Sequence, residues 1–159
     1  MTRSLFTLAA SVTQALPGAM VIAAGSLTQN SAGRYDSAVA LLADGTKVAV
    51  RAPADAYAGR ELAAETLALR ALTVGARSRL GFGAPTVLGE AGLGNARALV
   101  VDFLPGYQVD AAYIPAGDGI APSMGRAIAA IHSLPTSLVR DAGLSSRTPE
   151  ESRTAVTTL

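Results

Sequence analysis

The sequence predicts an α+β fold: a five-stranded antiparallel sheet with one packed helix. Three observations carry that prediction. Asp44-Gly45 is a strong hairpin signal, and Lys47-Val48-Ala49-Val50-Arg51 beyond it alternates polar and apolar residues as a strand does. The stretch from Gly59 to Leu72 holds good helix formers and no proline. Thr86 to Glu90 and Arg97 to Phe103 form a further strand pair around the turn-rich Ala91-Gly92-Leu93-Gly94-Asn95.

The remaining elements follow in chain order. Leu5, Leu8, Ala9, Val12 and Leu16 keep helical spacing, which describes an amphipathic surface helix ended by Pro17-Gly18. Met20 to Ala24 and Ser37 to Leu42 are short apolar runs, strands around the polar stretch Thr28 to Asp36 with its Gly33. Pro53 ends the third strand, and Leu104-Pro105-Gly106 closes the fifth. After a loop from Asp110 to Pro122, Ser123 to Leu134 reads as a helix stopped by Pro135. Thr148-Pro149-Glu150-Glu151 has the residues of a helix start, cap, proline and glutamate, yet Leu159 follows barely two turns later. The expectation is a chain truncated inside a second, helical unit. No internal repeat is present.

Composition narrows the chemistry. Of 159 residues, half are hydrophobic and 16% are charged, so the chain can bury a core. A net charge of +1 with scattered arginines makes nucleic acid a poor partner. Without cysteine and with one histidine, disulfides, thiolate nucleophiles and ordinary zinc sites are set aside. The uncharged segment from Ser4 to Gly33 raises the question of a membrane span or signal peptide. Pro17-Gly18 interrupts it short of the roughly 20 residues a span needs, and Thr7, Ser11, Thr13 and Gln14 dilute it. No membrane partner and a cytoplasmic location are therefore expected. The competing reading is a secreted Ala-rich domain led by Met1 to about Ala15.

The chemistry-bearing candidates are Arg51 and Glu65. Leu62, Leu69 and Leu72 form one helical stripe with Glu65 in its middle, which predicts a buried carboxylate. A buried charge is expensive unless paired, and Arg51, at the end of an apolar strand, is the best cation for it. A strand cation paired with a helix glutamate is a device for holding phosphate. The plainer alternative places Glu65 at the edge of the stripe and leaves Arg51 solvated.

At these residues the sequence resembles the aminoglycoside and macrolide phosphotransferases, small-molecule kinases of the protein-kinase-like fold. Val48-Ala49-Val50-Arg51 looks like the strand carrying the phosphate-contacting cation, with Ala49 as the small residue against the base. Glu65, in Glu65-Thr66-Leu67-Ala68-Leu69-Arg70-Ala71-Leu72, is similar to the helix glutamate that pairs with it. Leu99-Val100-Val101-Asp102-Phe103-Leu104-Pro105-Gly106 looks like the hinge whose backbone binds the purine. Gly125-Arg126-Ala127-Ile128-Ala129-Ala130-Ile131-His132-Ser133-Leu134-Pro135 is similar to the helix opening the second lobe.

The resemblance implies a kinase-like N-lobe with an N-terminal helix at 1–19, a nucleotide-binding lobe and hinge at 20–106, and the start of a truncated helical lobe at 107–159. It implies ATP or GTP as cofactor, contacted by Arg51, Glu65, Ala49, Asp102, Phe103, Leu104 and Gly33. Magnesium and a small-molecule hydroxyl acceptor belong to the full-length enzyme. Three departures stand beside it. Arginine replaces the usual lysine, keeping charge but changing reach. The loop Asn30-Ser31-Ala32-Gly33-Arg34-Tyr35-Asp36-Ser37 has one glycine where several are usual, so a plain strand connection explains it equally well. Nothing after Gly106 supplies the acceptor-orienting and magnesium-holding residues, His132 reads as a packed helix residue, and this chain alone is expected to be inactive. A pseudokinase-like binding module is the alternative. With the Glu65 helix on one sheet face, the other is expected to receive the nucleotide and, uncovered, to promote self-association.

Overall fold

The computed structural model describes residues 3–27, 33–72, 74–106, 119–141 and 143. In chain order the elements are α1 (Leu5–Ala15), β1 (Val21–Ser26), β2 (Tyr35–Leu42), β3 (Lys47–Pro53), α2 (Ala56–Ala71), α3 (Val74–Arg77), β4 (Val87–Leu93), β5 (Ala96–Asp102), α4 (Ile120–His132) and α5 (Thr136–Asp141). The five strands form one sheet in the order β1-β2-β3-β5-β4. Every neighbouring pair is antiparallel. The predicted fold class is the observed one.

Local chemistry accounts for the boundaries. Asp44 Oδ1 accepts from the Thr46 amide at 2.8 Å while Gly45 takes φ +84°, which closes the β2–β3 hairpin. β4 runs three residues further than expected and β5 is shifted one residue earlier, pairing Leu93 with Ala96 across Gly94-Asn95. Gly94 there sits at φ +61°, the conformation a tight hairpin requires. α2 starts at Ala56, ahead of the expected Gly59, because the Asp55 carboxylate caps it by accepting from the Ala58 amide at 2.8 Å. α4 likewise starts at Ile120, ahead of Ser123. Pro122 is tolerated in its first turn, where amides lack intrahelical acceptors anyway. The Thr148-Pro149-Glu150-Glu151 helix start lies outside the described residues.

Strand alternation sorts the side chains into two unlike faces. Val48, Val50 and Ala52 of β3 point to one face and are fully buried with Ala38, Ala40, Ala98 and Val100 beneath Leu8 and Val12 of α1. Arg3 seals one end of this layer, donating to the Asp36 carboxylate from its backbone amide at 3.0 Å and its guanidinium at 3.1 Å. Lys47, Ala49 and Arg51 point to the other face, where Ala58 and Leu62 of α2 pack with Tyr35, Leu99 and Val101. α1 is thus the cover of a sheet face rather than a surface helix. Its approach to β4 is close enough that a Cβ on Gly89 would lie 2.4 Å from the Ala15 carbonyl oxygen.

This arrangement corrects the expectation of a bare face opposite the Glu65 helix, because the N-terminal apolar segment folds back over it. Exposed apolar side chains include Phe6, Met20 and Ile22 and a row on α4, where Ile120, Met124, Ile128 and Ile131 recur at helical spacing. No α4 residue is buried among the described residues. Among them, too, no helix is long and apolar enough to cross a membrane.

Candidate functional site

Arg51 and Glu65 meet where β3 faces α2. Both carboxylate oxygens of Glu65 accept from Arg51 Nη1, at 2.5 and 2.6 Å. Glu65 is not buried mid-stripe as expected. The inward face of α2 is Ala58, Leu62 and Thr66, so Glu65 falls on its rim. The side chains remain 31% and 38% exposed for Arg51 and Glu65. An ion pair so open to solvent contributes about 0–1 kcal/mol to stability. Stability therefore gives a weak reason for placing it there.

The arginine's geometry is informative. Glu65 engages one guanidinium nitrogen, and no other side-chain hydrogen bond of Arg51 occurs among the described residues. Nη2 and Nε stay available as donors, an option that a single lysine ammonium offers only from one point. Beside Arg51 the same face presents Val39 and Leu41 of β2 and Ala49 of β3, each half-buried. Together they form an apolar shelf next to a cationic edge. Val39 and Leu41 were not singled out by the sequence reading, although their alternation with Ala38 and Ala40 was there to find.

A second polar group, also missed, adjoins the first. Tyr35 lies under Arg51 with the guanidinium carbon 4.4 Å from the ring centroid. Its hydroxyl donates to Glu61 Oε2 at 3.1 Å, and Arg34 Nη1 donates to both Glu61 oxygens at 3.1 and 3.0 Å. Glu61 and Glu65 stand one helical turn apart on α2, each meeting an arginine, and that spacing was the available signal. Desolvation pushes the Glu61 carboxyl up, but hydrogen bonds from Arg34 and Tyr35 with the Arg34 charge outweigh it and hold the group below its usual range. Desolvation, followed by the bond to Glu61, raises the Tyr35 phenol. Tyr35 thus stays a neutral donor at ordinary pH.

The hinge candidates lie beside this face. The Asp102 amide donates to Thr86 O at 3.1 Å, and the Phe103 amide to Lys47 O at 3.3 Å. The Asp102 carboxylate accepts from the Thr86 amide at 2.5 Å. Asp102 and Phe103 therefore spend their backbone donors inside the protein. Leu104 comes next, 41% exposed, with no acceptor for its amide among the described residues. Gly33 is exposed at φ +74°, a left-handed backbone that suits glycine. The rest of its loop, 28–32, lies outside the described residues.

His132 is exposed instead of packed, for α4 has no cover among the described residues. It borders an apolar cavity of about 560 Å³ lined also by Ala68, Leu72, Phe82 and Leu138. Near that cavity Arg77 ties the end of α2 to the approach to β4, donating to the carbonyls of Leu69, Leu72, Ala84 and Pro85. No three His, Asp or Glu side chains among the described residues cluster as a metal site would require. With Glu65 on Arg51 and Asp102 on an amide, the carboxylates here do not fit a magnesium ion.

No family model matches the sequence, and no curated protein does. Solved structures do. Macrolide 2'-phosphotransferase type I is similar with a TM-score of 0.59 and 24% identity, over 89% of this chain and 47% of that one. The GDP complex of an aminoglycoside 2'-phosphotransferase IIIa mutant is similar with a TM-score of 0.72 and 15% identity, over 98% of this chain and 50% of that one. The fold is the one these aminoglycoside and macrolide phosphotransferases share. The chain spans about half the length of the structures it matches.

Proposed function

We propose that the chain is the nucleotide-binding lobe and hinge, 20–106, of a small-molecule O-phosphotransferase that uses ATP or GTP, with 107–159 opening the lobe that receives the acceptor. The observation that carries this reading is the Arg51–Glu65 pair: a half-exposed bridge between β3 and α2 that contributes little to stability yet leaves guanidinium donors open beside an apolar shelf. Val39, Leu41 and Ala49 would hold the purine, the Leu104 amide would donate to its edge, and Nη2 and Nε of Arg51 would hold phosphate oxygens in charge-assisted bonds. Bound nucleotide would supply the phosphoryl group. This chain's own part is to bind and orient it, and the GDP in the aminoglycoside neighbour agrees with such a role for the fold. A hydroxyl of an aminoglycoside or macrolide is the proposed acceptor in the whole protein.

Titration calorimetry with ATP and GTP tests the reading. Saturable binding that Arg51→Ala weakens by about tenfold or more, the loss of one charge-assisted contact, is expected. Failure of the wild-type chain to bind either nucleotide would overturn it. Phosphate transfer to an aminoglycoside or macrolide by the whole protein separates the enzyme from a binding-only relative of the same fold.

A further inference from the structure

We infer that Tyr35 is a positioning residue for Arg51, setting the plane in which the guanidinium presents its open edge. The consequence for ligands rests on the nucleotide-lobe reading. The geometry stands without it.

Register creates the contact. Ser37 of β2 pairs with Arg51 of β3, and Tyr35 pairs with Pro53. Tyr35 is therefore the diagonal same-face neighbour of Arg51, a separation that an aromatic ring spans. The ring lies 4.4 Å from the guanidinium carbon and is 9% exposed, so water competes weakly for that face of the cation. The ring is itself held at its far end, where the hydroxyl donates to Glu61 and Glu61 is held by Arg34. Glu65 then takes Nη1 from the α2 side.

Arg51 is thus constrained by an aromatic ring against its guanidinium and by a carboxylate at one nitrogen. Those two restraints leave it little freedom to turn. The first matters because this strand position carries arginine. An ammonium binds phosphate as a point charge from many directions, whereas a guanidinium fork must have its plane set before two N–H groups can meet two oxygens. An arginine here needs an orienting surface that a lysine would not, and Tyr35 provides it.

A merely structural Tyr35, one more member of the cluster with Ala58, Leu62, Leu99 and Val101, would affect stability alone. The test reads Arg51 directly. In the nucleotide-free chain, the Nε–Hε proton NMR shift of Arg51 and its exchange with water are compared among wild type, Tyr35→Phe, Tyr35→Leu and Glu61→Gln. The last variant lies outside the buried cluster and serves if Tyr35→Leu does not fold. Tyr35→Phe should keep the ring-induced shift. Tyr35→Leu should lose it and exchange faster, with Glu61→Gln exchanging faster to a smaller degree. An unchanged shift and exchange rate in both Tyr35→Leu and Glu61→Gln would overturn the inference.

Binding gives the second readout. Tyr35→Leu should weaken a purine triphosphate about tenfold and leave the matching nucleoside unaffected, while Tyr35→Phe stays near wild type. Equal losses for nucleoside and triphosphate would also overturn it. If the wild-type chain binds no triphosphate, the nucleotide reading falls, and the Arg51 signals alone decide the role of Tyr35.

Discussion

The two faces of the sheet are built from alternate residues of the same strands and serve different ends. On the α1 face, Val48, Val50 and Val100 are wholly buried with Leu8 and Val12. Each such side chain contributes on the order of 1.5–3 kcal/mol when withdrawn from water. On the α2 face, Arg51, Glu65 and Ala49 stop half-way, and α2 covers only the part around Tyr35, Leu99 and Val101. The first face maximises burial. The second leaves polar side chains half-exposed at a cost in apolar contact. Within one sheet, then, the polar pair that adds little stability is the one on which the proposed function rests.

That comparison can be broken most forcefully at α1. Leu8→Ala should destabilise the chain by about 2–5 kcal/mol in urea unfolding, the cost of a cavity in a packed layer. A change below about 1 kcal/mol would show that α1 does not seal the face. Gly89→Ala comes next, at about 1–3 kcal/mol, because its Cβ would meet the Ala15 carbonyl oxygen and α1 would have to move off β4. A neutral outcome in the same unfolding experiment would mean that the helix rides loosely.

Glu65→Gln sharpens the contrast from the other side. Its effect on stability should stay within about 1 kcal/mol, while calorimetric affinity for a purine triphosphate falls several-fold. A large stability loss with unchanged affinity would reverse the roles given to the two faces. The smallest effect is the pH dependence of the Arg34–Glu61 pair. Glu61 is held below its usual range, so its contribution is fully present above the unfolded carboxyl's titration, near 4.5, and is lost as pH falls through the lower folded value. Thermal midpoints of wild type and Glu61→Gln should therefore converge in acid, and a gap that widens there would contradict the pairing.

Much of this was legible beforehand. Asp44-Gly45, the alternation through Lys47 to Arg51 and the proline-free helix are local signals, and the elements they specify formed as read. Arg51 and Glu65 were found from the cost of placing a carboxylate on an apolar helix stripe. Less legible was the depth of that pair, since helical spacing gives a direction and not the distance to the next layer. Tyr35 and Glu61 escaped because their partners, Arg51 and Arg34, come from other elements. The spacing of Glu61 and Glu65 hinted at a shared face but named neither cation.

By itself the sequence determined the five strands and the three longer helices, though not α3 or α5, together with the sheet's two-sided pattern and the pair of charges most worth attention, because propensity, turn chemistry and strand alternation act over a few residues. Only the tertiary structure decided that α1 closes one face, that Arg51 lies between Tyr35 and Glu65, and that α4 carries the exposed apolar stripe. The reason is that burial and side-chain pairing depend on which distant segments the folded chain brings together, and no local pattern encodes that choice.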